Sequence, residues 1–206
     1  MTVHVHTRAD LLPSTPVAYR RVEIANALRR LCAESELYWN AMSARDFVTP
    51  IGTAWSPADN VRHLTKSIVP LTRALRIPKI VLRLMFGTSP SMSRSYREIV
   101  SVYHTALRRG AQAGRFAPEP RSHMGDTEEY RRQVLARHHS AVDDLAAEVT
   151  IWQHHHIDAV RLPHPLLGRL TVREMLLWTL YHNLHHVQVV ARRRGEYFSE
   201  ETPLNN

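Results

Sequence analysis

The stretch MLLWTLYHNLHHVQVVA, residues 175–191, decides the fold. Placed on a helix of about 3.6 residues per turn, its apolar side chains go nearly all the way round. A helix of that kind is stable only when neighbours cover every face, so it belongs inside a bundle. Its ends are marked. Thr171 and Glu174, in T-V-R-E, form a capping box at the start. Arg192, Arg193 and Arg194 precede Gly195 at the end, which sets cations at the negative pole of the helix dipole and a glycine at the stop. The predicted helix covers 171–194.

Working outward, three further long helices follow from periodicity and caps. Residues 17–47 carry apolar positions at Val22, Ile24, Ala25, Leu28, Leu31, Leu37, Tyr38 and Met42. A second helix, 56–76, starts at Ser56 as N-cap, with Pro57 at the first helical position and Asp59 three residues after the cap. Pro70 is expected to kink it. A third, 126–153, has Asp126 as cap and Glu128 and Glu129 in its first turn. These four helices predict an all-α four-helix bundle. Between the second and third lies a helical insertion, 77–125: an apolar helix at 78–86 ending at Gly87, a Ser-rich loop, a helix at 95–109 closed by Gly110, and an irregular run to 125. Residues 161–169, with Pro163, Pro165 and Gly168, read as a loop, and no stretch alternates convincingly enough for a strand. With 206 residues and 44% hydrophobic content, the chain is expected to form one domain, 1–206, with 1–16 and 195–206 as flexible tails.

Composition narrows the function classes. The lone cysteine, Cys32, permits no intrachain disulfide and reads as a partly buried thiol. The first sixteen residues hold no apolar run of about 7–15 residues, as a secretory signal would, and no window approaches the roughly 18 apolar residues of a membrane span. A cytoplasmic protein without membrane contact is the expectation. The net charge of +8 comes from a chain in which 25 of 27 basic residues are arginine, scattered along it with four adjacent pairs (20/21, 29/30, 108/109, 131/132) and one triplet, 192–194. No zinc-finger spacing or recognition-helix pattern accompanies them, so no specific nucleic-acid partner is expected.

The chemistry lies in the 14 histidines. His182 and His186 are an i, i+4 pair, about 40° apart on one stripe, the spacing that lets two imidazoles of one helix chelate one ion. The alternative is two core imidazoles, each hydrogen-bonded to a carbonyl or carboxylate. His185 points about 100° from His186 and reads as a surface or interface residue. A third ligand must come from another helix. His63 sits at the edge of the apolar stripe Val61, Leu64, Ile68 and Leu71, beside Asp59, Asn60 and Ser67. Asp59 is read first as completing the helix cap and second as a carboxylate orienting His63. His4 and His6 lie near the N-terminus; His138-His139 and His154-His155-His156 are tandem and fan out; His104 and His164 are isolated.

The Trp55-Ser56 helix start followed by His63-Leu64, with HPLLGRLTVREML at 164–176 and HNLHH at 182–186, resembles the DinB-like superfamily. The resemblance covers about residues 17–194, and the 77–125 insertion is a feature of a subgroup. It implies a metal-dependent four-helix bundle whose ligands are one histidine on the second helix and an H-x-x-x-H pair on the last, which correspond to His63, His182 and His186. Many members carry a glutamine seven residues after the first histidine of the pair; this chain has Val189 there, with Gln188 one position earlier. The resemblance also implies homodimers as a common state.

Three neutral imidazoles leave a divalent ion, zinc or nickel, with an open position. Such a site supports hydrolysis by activated water or activation of a thiol. In the zinc-peptidase pattern H-E-x-x-H the second position is the base, and here it is Asn183. Asp59, Glu23 and Glu174 are possible substitutes that no motif places. Thiol activation needs no carboxylate, and the resemblance points the same way, to transferases and isomerases that use thiols such as bacillithiol and mycothiol. The expected partner is a small-molecule substrate. A non-catalytic, stress-related metal-binding protein is the contrasting class. The insertion is expected to cover the bundle mouth or to form a dimer contact, and its serines at 89, 91, 93 and 95 to form a solvated loop or a lid.

Overall fold

Helix caps written in the sequence reappear as hydrogen bonds in the computed structural model, which describes residues 20–119 and 125–196. Ser56 Oγ accepts the Asp59 N–H at 3.1 Å and opens α3. Thr171 Oγ1 accepts the Glu174 N–H at 3.1 Å, and the Glu174 carboxylate accepts the Thr171 N–H at 3.0 Å, opening α8. Asp126 caps α6 through the N–H groups of Glu128 and Glu129. Among the described residues the helices are α1 (Arg21–Asn40), α2 (Ala44–Val48), α3 (Pro57–Leu75), α4 (Lys79–Phe86), α5 (Tyr96–Arg108), α6 (Thr127–Ile151), α7 (His154–Ala159) and α8 (Val172–Arg193).

The long helices α1, α3, α6 and α8 form the bundle. Both α6 and α8 pack against α1 and against α3, so α1 faces α3 and α6 faces α8 across its diagonals. Within the insertion, α5 lies on α8 and α4 on the segment before it.

Three local expectations are corrected. The first long helix stops at Asn40, and α2 begins anew because Ser43 Oγ accepts the Asp46 N–H at 3.0 Å. A serine that offers the backbone a side-chain acceptor favours a cap over helix interior. The helix expected to run to 153 ends at Ile151, with α7 following. The 161–169 loop is in fact an antiparallel hairpin, β1 (Arg161–His164) and β2 (Gly168–Thr171), with Leu162 opposite Leu170. Gly168 takes φ +75°, a conformation glycine adopts without steric cost, and so starts the return strand. Helix α3 continues through Pro70. Of the expected tails at 1–16 and 195–206, residues 1–16 and 197–206 lie outside the described residues, whereas Glu196 is held, accepting the Tyr38 hydroxyl at 2.5 Å and Arg194 Nε at 3.2 Å.

A polar layer divides the core. The larger apolar cluster includes Leu28, Ile68, Leu145, Leu176 and Leu180; the smaller includes Trp39, Phe47, Val61, Leu135 and Val187. On each long helix the boundary falls at a buried polar residue: Ser35, His63, His138, and the run from His182 to His186. Buried polar groups of this kind need partners. His138 Nδ1–H donates to Thr65 Oγ1 at 3.2 Å, since that hydroxyl gives its own proton to the Val61 carbonyl, and His138 also bonds the Asn183 side chain. Arg173, fully buried, pairs with both oxygens of Asp158 at 2.6 and 2.8 Å and ties α7 to α8.

Candidate metal centre

His63 on α3 and His182 and His186 on α8 come together in that layer. They are 5%, 3% and 9% exposed. His63 Nε2 lies 3.1 Å from His182 Nε2, and His186 Nε2 lies 3.1 Å from the same atom. The three candidate ligand atoms all lie within 4.8 Å of one another.

The far nitrogens of two of these rings are held. His63 Nδ1–H donates to the Phe116 carbonyl at 2.8 Å. His186 Nδ1–H donates to Asn60 Oδ1 at 2.7 Å, and the Asn60 amide is itself oriented, because its Nδ2 donates to the Ser56 carbonyl at 2.8 Å. With Nδ1 protonated, a neutral imidazole carries its lone pair on Nε2. Two lone pairs therefore converge on His182 Nε2. One N–H on His182 could satisfy only one of them, whereas a cation satisfies all three nitrogens. Zinc–imidazole bonds of about 2.0–2.1 Å place ligand nitrogens roughly 2.8–3.4 Å apart at angles of about 90–109°, and the two 3.1 Å separations from His182 Nε2 fall in that range. Burial depresses the pKa of His182 and His186 well below the usual imidazole value, and that of His63 as well, so all three are neutral donors at ordinary pH.

Asn60 and the Phe116 carbonyl are functional groups that reading the sequence did not single out. The Phe116 carbonyl belongs to a strap, Phe116 to Glu119, laid over α3. Lys66 Nζ donates to the Ala117 carbonyl and Arg62 Nη1 to the Glu119 carbonyl, both at 3.1 Å, alongside the His63 bond. Irregular backbone leaves carbonyls without partners, and side chains at 62, 63 and 66 take them up. Aromatic rings pack on the imidazoles. Trp178 stacks on His182 with centroids 4.3 Å apart, Trp55 lies parallel to His186 at 6.4 Å, and Tyr103 meets His182 edge-on at 6.0 Å.

The three histidines open onto a cavity of about 600 Å³. Its walls are largely apolar, with Trp55, Phe86, Leu107 and Trp178 from the bundle and insertion. Tyr103, Leu107, residues 111–113, Arg115 and Phe116 of the insertion line one side. The Ser-rich loop does not line the cavity: Ser93 bonds Asp158 and Thr171, and Ser95 caps α5. His185, expected at a surface or interface, is half-buried and lines the cavity. Val189 lines it too and adds to its apolar wall.

None of the three carboxylates considered as a base lines the cavity. Asp59 accepts the Ser56 hydroxyl at 2.7 Å and Arg62 at 2.9 Å, which is the capping role. Glu23 closes the start of α1 at the Arg20 N–H, and Glu174 binds Arg94. Asn183 turns to His138 and to the Thr179 carbonyl.

The fold and the cluster define a helical bundle built around a group fit to hold a divalent ion. A family model of the DinB superfamily matches residues 23–190, and the chain belongs to that superfamily. Comparison with curated proteins returned no match, and comparison with solved structures returned none. Among the described residues no helix is long and apolar enough to cross a membrane.

Proposed function

We propose that His63, His182 and His186 hold one divalent ion, zinc or nickel, and that the protein is a transferase that activates a low-molecular-weight thiol there. The observation that carries this reading is a three-imidazole cluster at a large apolar cavity that no aspartate or glutamate lines among the described residues. Hydrolysis through a carboxylate base has no group in place to serve it. When bound, the ion supplies Lewis acidity that favours a thiol as its nucleophilic thiolate, which dispenses with a base. The residues of the chain do the rest. Phe116 and Asn60 fix the imidazoles, as partners behind metal-ligating histidines do. Trp55, Trp178 and Tyr103 keep water from their faces, and the apolar walls receive a small electrophile. In the net reaction a sulfur–carbon bond forms, the leaving group departs with the bonding electron pair, and the thiol proton passes to solvent.

The test is conjugation of an activated aryl chloride by zinc- or nickel-loaded protein with cysteine, glutathione, mycothiol and bacillithiol in turn. Turnover with at least one thiol, lost on chelation and in His182→Ala, is the expected result. Metal-dependent hydrolysis of an activated ester with no thiol conjugation would replace this reading with a hydrolase. Neither activity would leave a metal-binding protein without catalysis.

A further inference from the structure

The charges around the cavity do not balance. Among the described residues its lining includes Arg115 and Arg193 and no carboxylate. Arg115 belongs to the 3₁₀ turn Gly114–Phe116 and lies over the Phe116 ring at 5.1 Å, the residue whose carbonyl holds His63. Arg193 ends α8, two turns beyond His186. Neither guanidinium pairs with a carboxylate among the described residues, although Arg62, Arg94, Arg173 and Arg194 all do. An ion held by three neutral imidazoles would add two further positive charges that the ligands do not cancel.

The wall nearest the cluster is built in part by His164 and Trp178. His164, 5% exposed, accepts the backbone N–H groups of Leu166 and Leu167 at Nδ1, both at 3.1 Å, so its proton sits on Nε2. That Nε2–H has no acceptor, and neither has the indole N–H of Trp178, which is 8% exposed. The two rings meet edge-on with centroids 4.3 Å apart, and both line the cavity. A cavity with low-dielectric walls and charge of one sign concentrates ligands of the opposite sign.

We infer that the cavity selects a substrate bearing an anionic group, a carboxylate above all, and that Arg115 and Arg193 are its specificity-determining residues. The inference deepens the proposed function and rests on it for the second substrate group, the thiol. A thiol-bearing acid would set its sulfur toward the histidines and its carboxylate toward the arginines, with an apolar body between them.

Four probes separate the two ideas: 4-mercaptobenzoate, its methyl ester, benzoate and methyl benzoate, each titrated calorimetrically into the zinc-loaded full-length chain. Each acid should bind about tenfold or more tightly than its ester, the size expected of one or two charge-assisted contacts. Added salt should shrink that advantage, since the arginines are exposed. The double variant Arg115→Gln/Arg193→Gln should remove it and leave ester affinity within about twofold. Equal binding of acid and ester, including no binding by either, overturns the inference. So does an acid preference that survives in the double variant, which would assign the carboxylate to the metal alone. If the mercapto compounds bind no better than their thiol-free counterparts, the thiol reading falls, while the benzoate pair still decides the role of the arginines.

Discussion

Replacing Asn60 with alanine removes the acceptor that takes the His186 Nδ1–H at 2.7 Å. The imidazole then loses the bond that fixes both its tautomer and its ring orientation, and the lone pair on Nε2 is no longer held toward His182 and His63. Removing such a partner typically costs 10–100-fold in metal affinity, about 1.4–2.7 kcal/mol. The folded protein also keeps a buried N–H without an acceptor, which costs about 1–3 kcal/mol of stability. Competition for zinc against a fluorescent chelator measures the first effect, and urea unfolding of the metal-free protein measures the second. Asn60→Asp retains an acceptor and should recover most of the zinc affinity, which separates an orienting role from simple loss of packing. An Asn60→Ala protein that binds zinc within about threefold of wild type, or an Asn60→Asp protein no better than Asn60→Ala, would refute the reasoning.

Other consequences are equally open to measurement. Asp158→Ala removes the ion-pair partner of the fully buried Arg173, which keeps its contact with His154 Nε2 at 3.3 Å; Asp158 is itself a third exposed, so the cost should be about 3 kcal/mol, the low end for a broken buried pair, and roughly 6–12 °C in Tm. Adding Arg173→Met should restore most of that loss. Burial lowers the His138 pKa to about 4, so below about 6.5 the unfolded chain binds a proton that the folded chain refuses. Stability of the metal-free protein should therefore fall as pH drops from about 6.5 to 4, by about 3 kcal/mol from this group; His138→Gln should lessen the fall by that amount, while His63, His164, His182, His185 and His186, also depressed by burial, keep the rest of the slope in a urea-midpoint profile. Burial pushes the Cys32 thiol up to about 12, so a disulfide reagent at pH 8 should leave it unmodified in the native protein and label it fully in denaturant.

What could be read in the sequence was local. Ser56, Pro57 and Asp59 mark the start of α3, and Thr171 and Glu174 the start of α8, because a cap is a contact over three residues. His182 and His186 could be paired because one helix sets their spacing. His63 lies 119 residues from His182, and only its position at the edge of an apolar stripe and the family resemblance brought it forward. The Phe116 carbonyl could not have been found, since a backbone oxygen in an irregular segment has no side-chain signature. Asn60 was visible beside His63, yet its bond is to His186 on another helix, which only the packing of α3 on α8 creates. The hairpin was hidden by Pro163, Pro165 and Gly168, residues that signal a turn equally well when two short strands flank it. His185 lies off the ligand stripe, yet the cavity is wide enough to reach that neighbouring face of the helix, a breadth that helix angles alone do not encode.

The central claim is that three histidines hold one ion. Metal analysis by mass spectrometry after loading with zinc and with nickel, followed by desalting, tests it most directly. The account predicts about one ion per chain in the wild type and a loss of most of it in each of His63→Ala, His182→Ala and His186→Ala, with His185→Ala retaining it. A wild-type chain holding less than about 0.2 ion under either condition, or single histidine variants that stay fully loaded, would contradict it.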